Sequence, residues 1–218
     1  MFGPLFNTQN QSQPGRRYMA WIDGVGAWLI LTGETVSVGR VTGGMGLLAK
    51  SGDEDEADLA LMANMSRRHA SLERVEEDYL ITPHSRVSVY GRSVDRQTVL
   101  PDDCEVTLGD SVRIGFSMPT PLSASARLTF QSNHRPRTSV DGVVLMADTC
   151  LLGNGPENHI CCPSWSTSVV LARTGNGLAA RSREPLFVDG KLAQGLAAVE
   201  SGQVITTGQY RFRLEALN

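Results

Sequence analysis

Short strand-like runs separated by turn residues are the sequence feature that most constrains the fold of this chain. Runs with alternating or β-branched residues occupy positions 27–31, 35–40, 69–75 and 79–83, and similar runs follow. Helical periodicity is almost absent, and only residues 57–66, ADLALMANMS, have some helical character. Many short strands with turns about every 8–12 residues favour an all-β fold made of β-sandwiches.

The second half of the chain repeats the order of landmarks found in the first half. An early run ends in Val-Gly-Arg at residues 38–40, and the run 143–154 ends in Leu-Gly-Asn. Three more pairs follow in the same order: 66–74 with 166–174, 85–93 with 184–192, and 100–116 plus 126–130 with 199–217. This order predicts two β-sandwich domains in tandem. A single large barrel is the alternative, which the polar stretch between the halves disfavours.

The domain boundaries follow from composition and turn residues. Residues 1–19, rich in Gln, Asn, Pro and Gly, are predicted to be a flexible lead. Residues 20–131 form the first predicted sandwich, 132–142 a polar linker, and 143–218 a second, shorter sandwich.

Charge and hydropathy exclude several classes of protein. The net charge of −3 argues against a general nucleic-acid binder. No apolar run is long enough to span a membrane, and the N-terminal stretch lacks the apolar core of a secretory signal. We therefore expect a cytoplasmic protein that binds neither nucleic acid nor a membrane.

The cysteines are interpreted as reduced thiols. Four are present, and the stretch HICC places His159 beside Cys161 and Cys162. A metal site would need a matching second pair of ligands, which the sequence lacks. We expect no metal and no cofactor, and no acid/base pair or catalytic triad can be named, so an enzyme such as a hydrolase is not expected.

The first half resembles a forkhead-associated (FHA) domain over about residues 20–131. The family's motifs occur in order: Gly39-Arg40, then Ser66-x-x-His69, then the turn 89–91, Val-Tyr-Gly, and finally VTLGDSVRIG at 106–115. The second half is similar only in its hydrophobic framework. The resemblance implies two FHA-like β-sandwiches in tandem, of which the second is degenerate.

The resemblance also implies a phosphate-binding site. In that family the Arg of Gly-Arg and the Ser of Ser-x-x-His hold the phosphate of a phosphothreonine peptide, so Arg40 and Ser66 would be ligands here. Arg67, the residue after the Ser, would assist. Gly39 and His69 would be structural, with His69 bracing the loop through hydrogen bonds to backbone.

Each phosphate ligand has an alternative role. Arg40 offers a planar fork of donors that suits phosphate oxygens, or it could pair with the acidic run 53–58, DEDEAD. Ser66 could bind phosphate or cap a turn. The family's usual Asn-Gly pair is replaced here by residues near Ser85 and Arg86, which become the candidate peptide contacts.

The second half lacks the corresponding cation. Asn154 stands where Arg40 would be, and Thr167 lies near the position of His69. A phosphate without an Arg or Lys partner binds poorly, so we expect this half not to bind phosphate.

The expected function is recognition of a phosphothreonine-containing protein, the product of a serine/threonine kinase, without catalysis. An FHA-like interaction scaffold that has lost phosphate binding is the alternative.

Overall fold

The computed structural model describes residues 16–42, 56–175 and 177–217, and this part of the chain contains strands, turns and bends but no helix. The first twelve strands are β1 (Arg17–Ile22), β2 (Gly26–Leu31), β3 (Thr35–Arg40), β4 (Leu59–Leu61), β5 (Ala70–Val75), β6 (Asp78–Pro83), β7 (Val87–Val89), β8 (Arg92–Val94), β9 (Thr98–Val99), β10 (Cys104–Leu108), β11 (Val112–Ser117) and β12 (Ala126–Phe130). The next ten are β13 (Gly142–Leu145), β14 (Thr149–Gly153), β15 (Ile160–Cys161), β16 (Val169–Thr174), β17 (Gly177–Ser182), β18 (Leu186–Val188), β19 (Lys191–Leu192), β20 (Ala197–Val199), β21 (Val204–Thr207) and β22 (Tyr210–Leu217). The prediction of an all-β chain is confirmed.

Three sheets hold these strands. The largest has twelve strands in the order β19-β18-β21-β22-β1-β2-β13-β12-β11-β10-β7-β8. The other two have five strands each, in the orders β4-β3-β5-β6-β9 and β15-β14-β16-β17-β20. The two smaller sheets share one topology, because each begins with a parallel pair, β3 with β4 and β14 with β15, followed by antiparallel neighbours.

Each small sheet packs on one part of the large sheet and encloses a hydrophobic core. The first core contains residues such as Leu72, Ile81 and Phe116, and the second contains Trp165, Leu171 and Phe212. The two cores therefore define a first and a second sandwich.

Three strands in the middle of the large sheet belong to both sandwiches. In β2, Leu29 packs in the first core while its neighbours Trp28 and Ile30 pack in the second. β1 and β13 alternate in the same way, as Val143 and Val144 illustrate. Since successive strand residues point to opposite faces of a sheet, these strands are buried on both faces.

The pairing of these strands connects distant parts of the chain. β1 lies between β2 and the last strand, β22, and both neighbours are antiparallel to it. β13 lies between β12 and β2, and it runs parallel to β2. The two sandwiches thus share one continuous sheet, while the two-domain division at residues 132–142 stays a prediction.

Some segments differ from what their sequence indicated. The interpretation of residues 57–66 as partly helical is wrong: Leu59–Leu61 form β4, and the stretch then continues through bends. Of the predicted flexible lead, residues 1–15 lie outside the described residues, and Arg17 to Met19 begin β1. Within the predicted linker, residues 132–141 are irregular apart from a bridge between Leu61 and Pro136.

No membrane-crossing helix occurs in residues 16–42, 56–175 or 177–217.

Candidate functional site

The end of β3 and the segment 66–69, here called the Ser66 segment, lie against each other. The backbone N–H of Arg40 donates to the carbonyl oxygen of Ser66 at 3.0 Å. The carbonyl of Arg67 occupies the place where a Cβ on Gly39 would be. Only glycine at position 39 therefore allows the Ser66 segment to pass so close to β3. The backbones of the predicted phosphate ligands Arg40, Ser66 and Arg67 thus lie close together in space.

The buried imidazole of His69 holds the first residue of the Ser66 segment in place. Its side chain is buried, and its Nδ1 lies 3.3 Å from the backbone nitrogen of Ser66. Its Nε2 lies 2.7 Å from the carbonyl oxygen of Arg86. The Ser66 N–H can only donate and the carbonyl can only accept, so the ring carries its proton on Nε2. Both ring nitrogens of His69 are occupied by backbone partners, which leaves neither for a ligand.

Ser85 joins the same surface from the turn after β6. Its backbone N–H donates to the carbonyl of His69 at 3.0 Å, and its hydroxyl lies 2.6 Å from the Ser66 hydroxyl. One hydroxyl proton makes that hydrogen bond, and the other remains able to donate elsewhere. Ser66 and Ser85 together therefore offer an anion one hydroxyl donor whose position is fixed by the partner hydroxyl.

Arg40 and Arg67 are both exposed residues. Neither forms a hydrogen bond or ion pair with any residue in the described ranges. Two arginine side chains of this kind provide several donors that fit phosphate oxygens. The surface formed by Arg40, Ser66, Arg67 and Ser85 is called the Arg40 surface below.

The acidic run 53–58 was the alternative partner of Arg40. Asp58 instead accepts hydrogen bonds from the backbone and hydroxyl of Ser37, at 2.8 and 2.6 Å. Glu56 lies 4.0 Å from the guanidinium of Arg137. Residues 53–55 lie outside the described part of the chain. The two described carboxylates of the run are therefore engaged away from Arg40.

Arg86, predicted to contact peptide, has a partner of its own. Its guanidinium forms an ion pair with Asp110 at 2.5 Å, and both side chains are mostly exposed. Asp110 belongs to the Leu-Gly-Asp motif in the turn between β10 and β11. The pair cancels most of the charge that Arg86 would otherwise add beside Ser85.

Equivalent hairpin turns occur in the two sandwiches. Tyr90 and Gly91 join β7 to β8 with φ of 50° and 71°, and Asp189 and Gly190 join β18 to β19 with φ of 49° and 76°. Positive φ at both central residues is the pattern of a type I′ hairpin turn, in which Tyr is an unusual first residue. The Tyr90 hydroxyl donates to the carbonyl of Asp103 at 2.8 Å, which accounts for its orientation.

The second sandwich places its predicted counterparts at the corresponding end. Asn154 follows β14 and is exposed, and the Thr167 hydroxyl lies 3.4 Å from that of Ser182. Two cations that sequence reasoning did not consider, Arg181 and Arg183, lie at the end of β17. The sequence signal that could have found them is Arg-Ser-Arg at a strand end, which puts two arginines on one face.

His159 and the cysteines show features of a packed core. Nδ1 of His159 accepts a hydrogen bond from the backbone N–H of Leu151 at 3.0 Å, and burial lowers the pKa of His159 to about 4. All four cysteines are free. Burial raises the pKa of Cys104 to about 11 and that of Cys162 to about 12, so both thiols stay protonated at neutral pH. Within the described ranges, no three His, Cys, Asp or Glu side chains are grouped so as to hold a metal ion.

Comparisons with known proteins give little further information. No protein-family model matches the chain, and no curated protein matches it. Among solved structures, the chain is similar to the N-terminal FHA domain from EssC, a component of the bacterial Type VII secretion apparatus. That match has 11% identity and a TM-score of 0.24, and it covers 93% of this chain and 95% of the other. At that TM-score the match carries no conclusion about function.

Proposed function

We propose that the Arg40 surface recognises a phosphothreonine side chain in a partner protein, and that it does so without catalysis. The supporting observation is the hydrogen bond from the Arg40 N–H to the Ser66 carbonyl. It holds the backbone of Arg40, at the end of β3, against the backbone of Ser66, 26 residues later, and both residues are exposed. Both sandwiches are assigned to the FHA type in this proposal, with the partner protein phosphorylated by a serine/threonine kinase in the cytoplasm.

Charge-assisted hydrogen bonds would supply most of the affinity. The forks of Arg40 and Arg67 are unpaired with described residues, so they can donate to phosphate oxygens without first giving up a protein partner. A hydrogen bond of this kind contributes about 1.5–3 kcal/mol. The hydroxyl donor shared by Ser66 and Ser85 would fix the orientation of the phosphate.

The protein would recognise the residues that flank the phosphothreonine only weakly. Ser85 can form one hydrogen bond where the FHA family uses an amide, and Arg86 is neutralised by Asp110. Phosphothreonine would be preferred over phosphoserine if its methyl group is buried, because one buried methyl contributes on the order of 1 kcal/mol.

An interaction scaffold without phosphate binding is the second candidate. Two observations favour it: one of the two hydroxyl protons of Ser66 and Ser85 is used in the hydrogen bond between them, and Arg86 is held by Asp110. Under this alternative, the chain binds its partner equally well with and without phosphorylation.

The two candidates are separated by a binding measurement with the full chain. A degenerate phosphothreonine peptide library and its unphosphorylated copy are titrated against the wild type, Arg40→Ala and Arg92→Ala. Arg92 is an exposed arginine on β8 and serves as the control for lost charge. We expect Arg40→Ala to lose at least about tenfold in affinity for the phosphorylated library, which corresponds to about 1.4 kcal/mol.

Arg92→Ala should bind like the wild type, and all three proteins should unfold at the same urea concentration. Equal binding of phosphorylated and plain peptides by the wild type, or an unchanged affinity in Arg40→Ala, would remove the proposed function.

A further inference from the structure

An open groove of about 810 Å³ lies at the end of the first sandwich where β5 turns into β6. Four connections line it: the β5–β6 turn, the turn before β10, the segment 118–124 between β11 and β12, and the turn before β14. β5 begins just after the Ser66 segment and runs for six residues, so its far end lies about 20 Å from that segment. The groove is therefore separate from the Arg40 surface.

The groove carries a strong negative charge. It is lined by five exposed carboxylates, those of Glu76, Glu77, Asp78, Asp102 and Asp148. Among the described lining residues, only Arg74 is a cation. Apart from Asp102, the five carboxylates form no hydrogen bond or ion pair with a described residue. A cationic ligand would relieve the repulsion between these uncompensated charges.

The carboxylates are spread around the groove and do not converge on one point. Glu76 and Glu77 lie in the two-residue turn between β5 and β6, whereas Asp148 comes from the turn before β14. Within the described ranges, no three acidic, His or Cys side chains are grouped so as to hold a metal ion. A ligand with several separate positive charges suits this arrangement better than one metal ion, which needs its oxygen ligands close together.

The segment 118–124 adds an apolar surface beside the carboxylates. It supplies Met118, Pro119, Pro121 and Leu122 to the lining. Leu122 is 92% exposed, more than any other large hydrophobic side chain in the described part of the chain. A single exposed leucine is ordinary, but here it lies with other apolar side chains at the wall of a groove.

Hydrogen bonds hold both ends of this segment. The backbone N–H of Met118 donates to the Asp102 carboxylate at 2.7 Å. At the other end, the Ser125 hydroxyl donates to the carbonyl of Thr149 at 2.6 Å. Leu122 is thus presented to solvent by a segment that is fixed before any partner binds, which lowers the entropic cost of binding.

We infer that this groove binds a cationic, amphipathic segment of a partner protein. Lysine or arginine side chains of that segment pair with the carboxylates, and an apolar side chain packs on Leu122. Charge complementarity selects this occupant, because the negative groove repels the phosphates of nucleic acids and of anionic lipids. An apolar centre with a charged rim is also the usual anatomy of a protein interface. The inference goes beyond the proposed function and does not depend on the Arg40 surface.

The test titrates the full chain with three degenerate peptide libraries. The first has lysine or arginine at four fixed positions around a central leucine, the second has glutamine at those four positions, and the third keeps the cations but has a central serine. Backbone amide NMR signals of residues 76–78, 122–124 and 148–149 report binding. We expect the first library to shift these signals at concentrations at least tenfold lower than the other two, and added salt to weaken its binding.

One pair of variants tests the charge of the groove. Glu77→Gln with Asp148→Asn should weaken binding of the first library at least tenfold. Asp95→Asn with Glu184→Gln changes the net charge by the same amount at exposed positions outside the lining, and should bind like the wild type.

A second pair tests the apolar contact. Leu122→Ser should weaken binding of the first library at least threefold, whereas Leu192→Ser, at a leucine that is also exposed but lies on β19, should change nothing. Unfolding in urea checks that every variant is folded.

Four results would overturn the inference. The first is the absence of shifts with all three libraries, and the second is an equal response in the Glu77/Asp148 variant. The third is equal binding of the library with a central serine, because it would indicate attraction between charges alone. The fourth is a shift of the same signals by Ca²⁺ at concentrations below those of the first library, because it would indicate a metal site.

Discussion

The carbonyl oxygen of Arg67 lies where a Cβ on residue 39 would be, so Gly39 and Arg67 fit together only because position 39 has no side chain. This contact, with the Arg40–Ser66 hydrogen bond beside it, sets the distance between β3 and the Ser66 segment. The glycine of the Gly-Arg pair is therefore needed for close packing, and its backbone does not require a positive φ.

Gly39→Ala should displace the Ser66 segment and destabilise the first sandwich. Overpacking of this kind costs about 1–3 kcal/mol in the free energy of unfolding, because the obstructing atom is backbone. Urea unfolding measures the loss. Gly175→Ala is the control, since nothing lies within 4 Å of a Cβ there. Equal stability of the two variants would show that the Ser66 segment moves away at little cost.

Asp110→Asn should strengthen binding of phosphorylated peptide at the Arg40 surface. The substitution releases the exposed guanidinium of Arg86, which lies next to Ser85, and adds net positive charge. Exposed ion pairs contribute about 0–1 kcal/mol, so stability should hardly change while affinity rises a few-fold. Titration of the phosphothreonine library measures the effect, and Asp95→Asn is an exposed control on the same sandwich. Weaker binding in Asp110→Asn than in Asp95→Asn would contradict it.

A destabilising substitution in the first core should also lower the local stability of the second core. Leu128→Ala removes a buried side chain of the first core, at a cost of about 2–5 kcal/mol. Because β1, β2 and β13 supply both cores, we expect amide hydrogen exchange to accelerate in β16 and β21 as well.

Ile205→Ala, in the second core, is the reciprocal variant and should accelerate exchange in β5 and β11. If each substitution affected exchange only in its own sandwich, the two would unfold independently.

Stability should fall in mild acid because of His159. Burial is the main cause that lowers its pKa from 6.5 to about 4; the Ser125 backbone partly opposes this and the charge of Arg127 adds to it. Between these pH values the unfolded chain binds a proton that the folded chain does not, so His159 costs up to about 1.4 kcal/mol per pH unit as pH falls. Above pH 6.5 its contribution is constant.

His159→Asn should flatten this dependence. Urea unfolding of both proteins at pH 7.5 and 4.5 gives the difference, in which the titrations of the carboxylates cancel. A decrease as steep in the variant as in the wild type would mean that His159 is not the responsible group.

The all-β class could be predicted from sequence because alternation and turn residues act locally. The sharing of strands could not, since it depends on pairing between segments more than 100 residues apart, such as β2 with β13. A signal was present: the apolar runs 27–31 and 143–147 are continuous, as expected for strands buried on both faces. The prediction of helical character for residues 57–66 failed because Leu59–Leu61 pair with β3 as a strand.

The site was predictable to the level of its motifs. The resemblance to FHA domains implied that Arg40 and Ser66 belong together, and their backbones are hydrogen-bonded. The pairing of Arg86 with Asp110 could not be read from the sequence, because the order of strands β7 and β10 in the large sheet brings the two together.

The position of β1 between β2 and β22 also has a consequence during synthesis on the ribosome. One edge of β1 can pair with β2 as soon as β2 has been synthesised. The other edge cannot pair with β22 until some 180 further residues have been synthesised. Through that interval a nascent chain presents an open strand edge, which is the kind of surface that recruits chaperones or joins other chains. Slow translation should therefore hinder this protein more than it hinders one whose first strand pairs only with nearby segments.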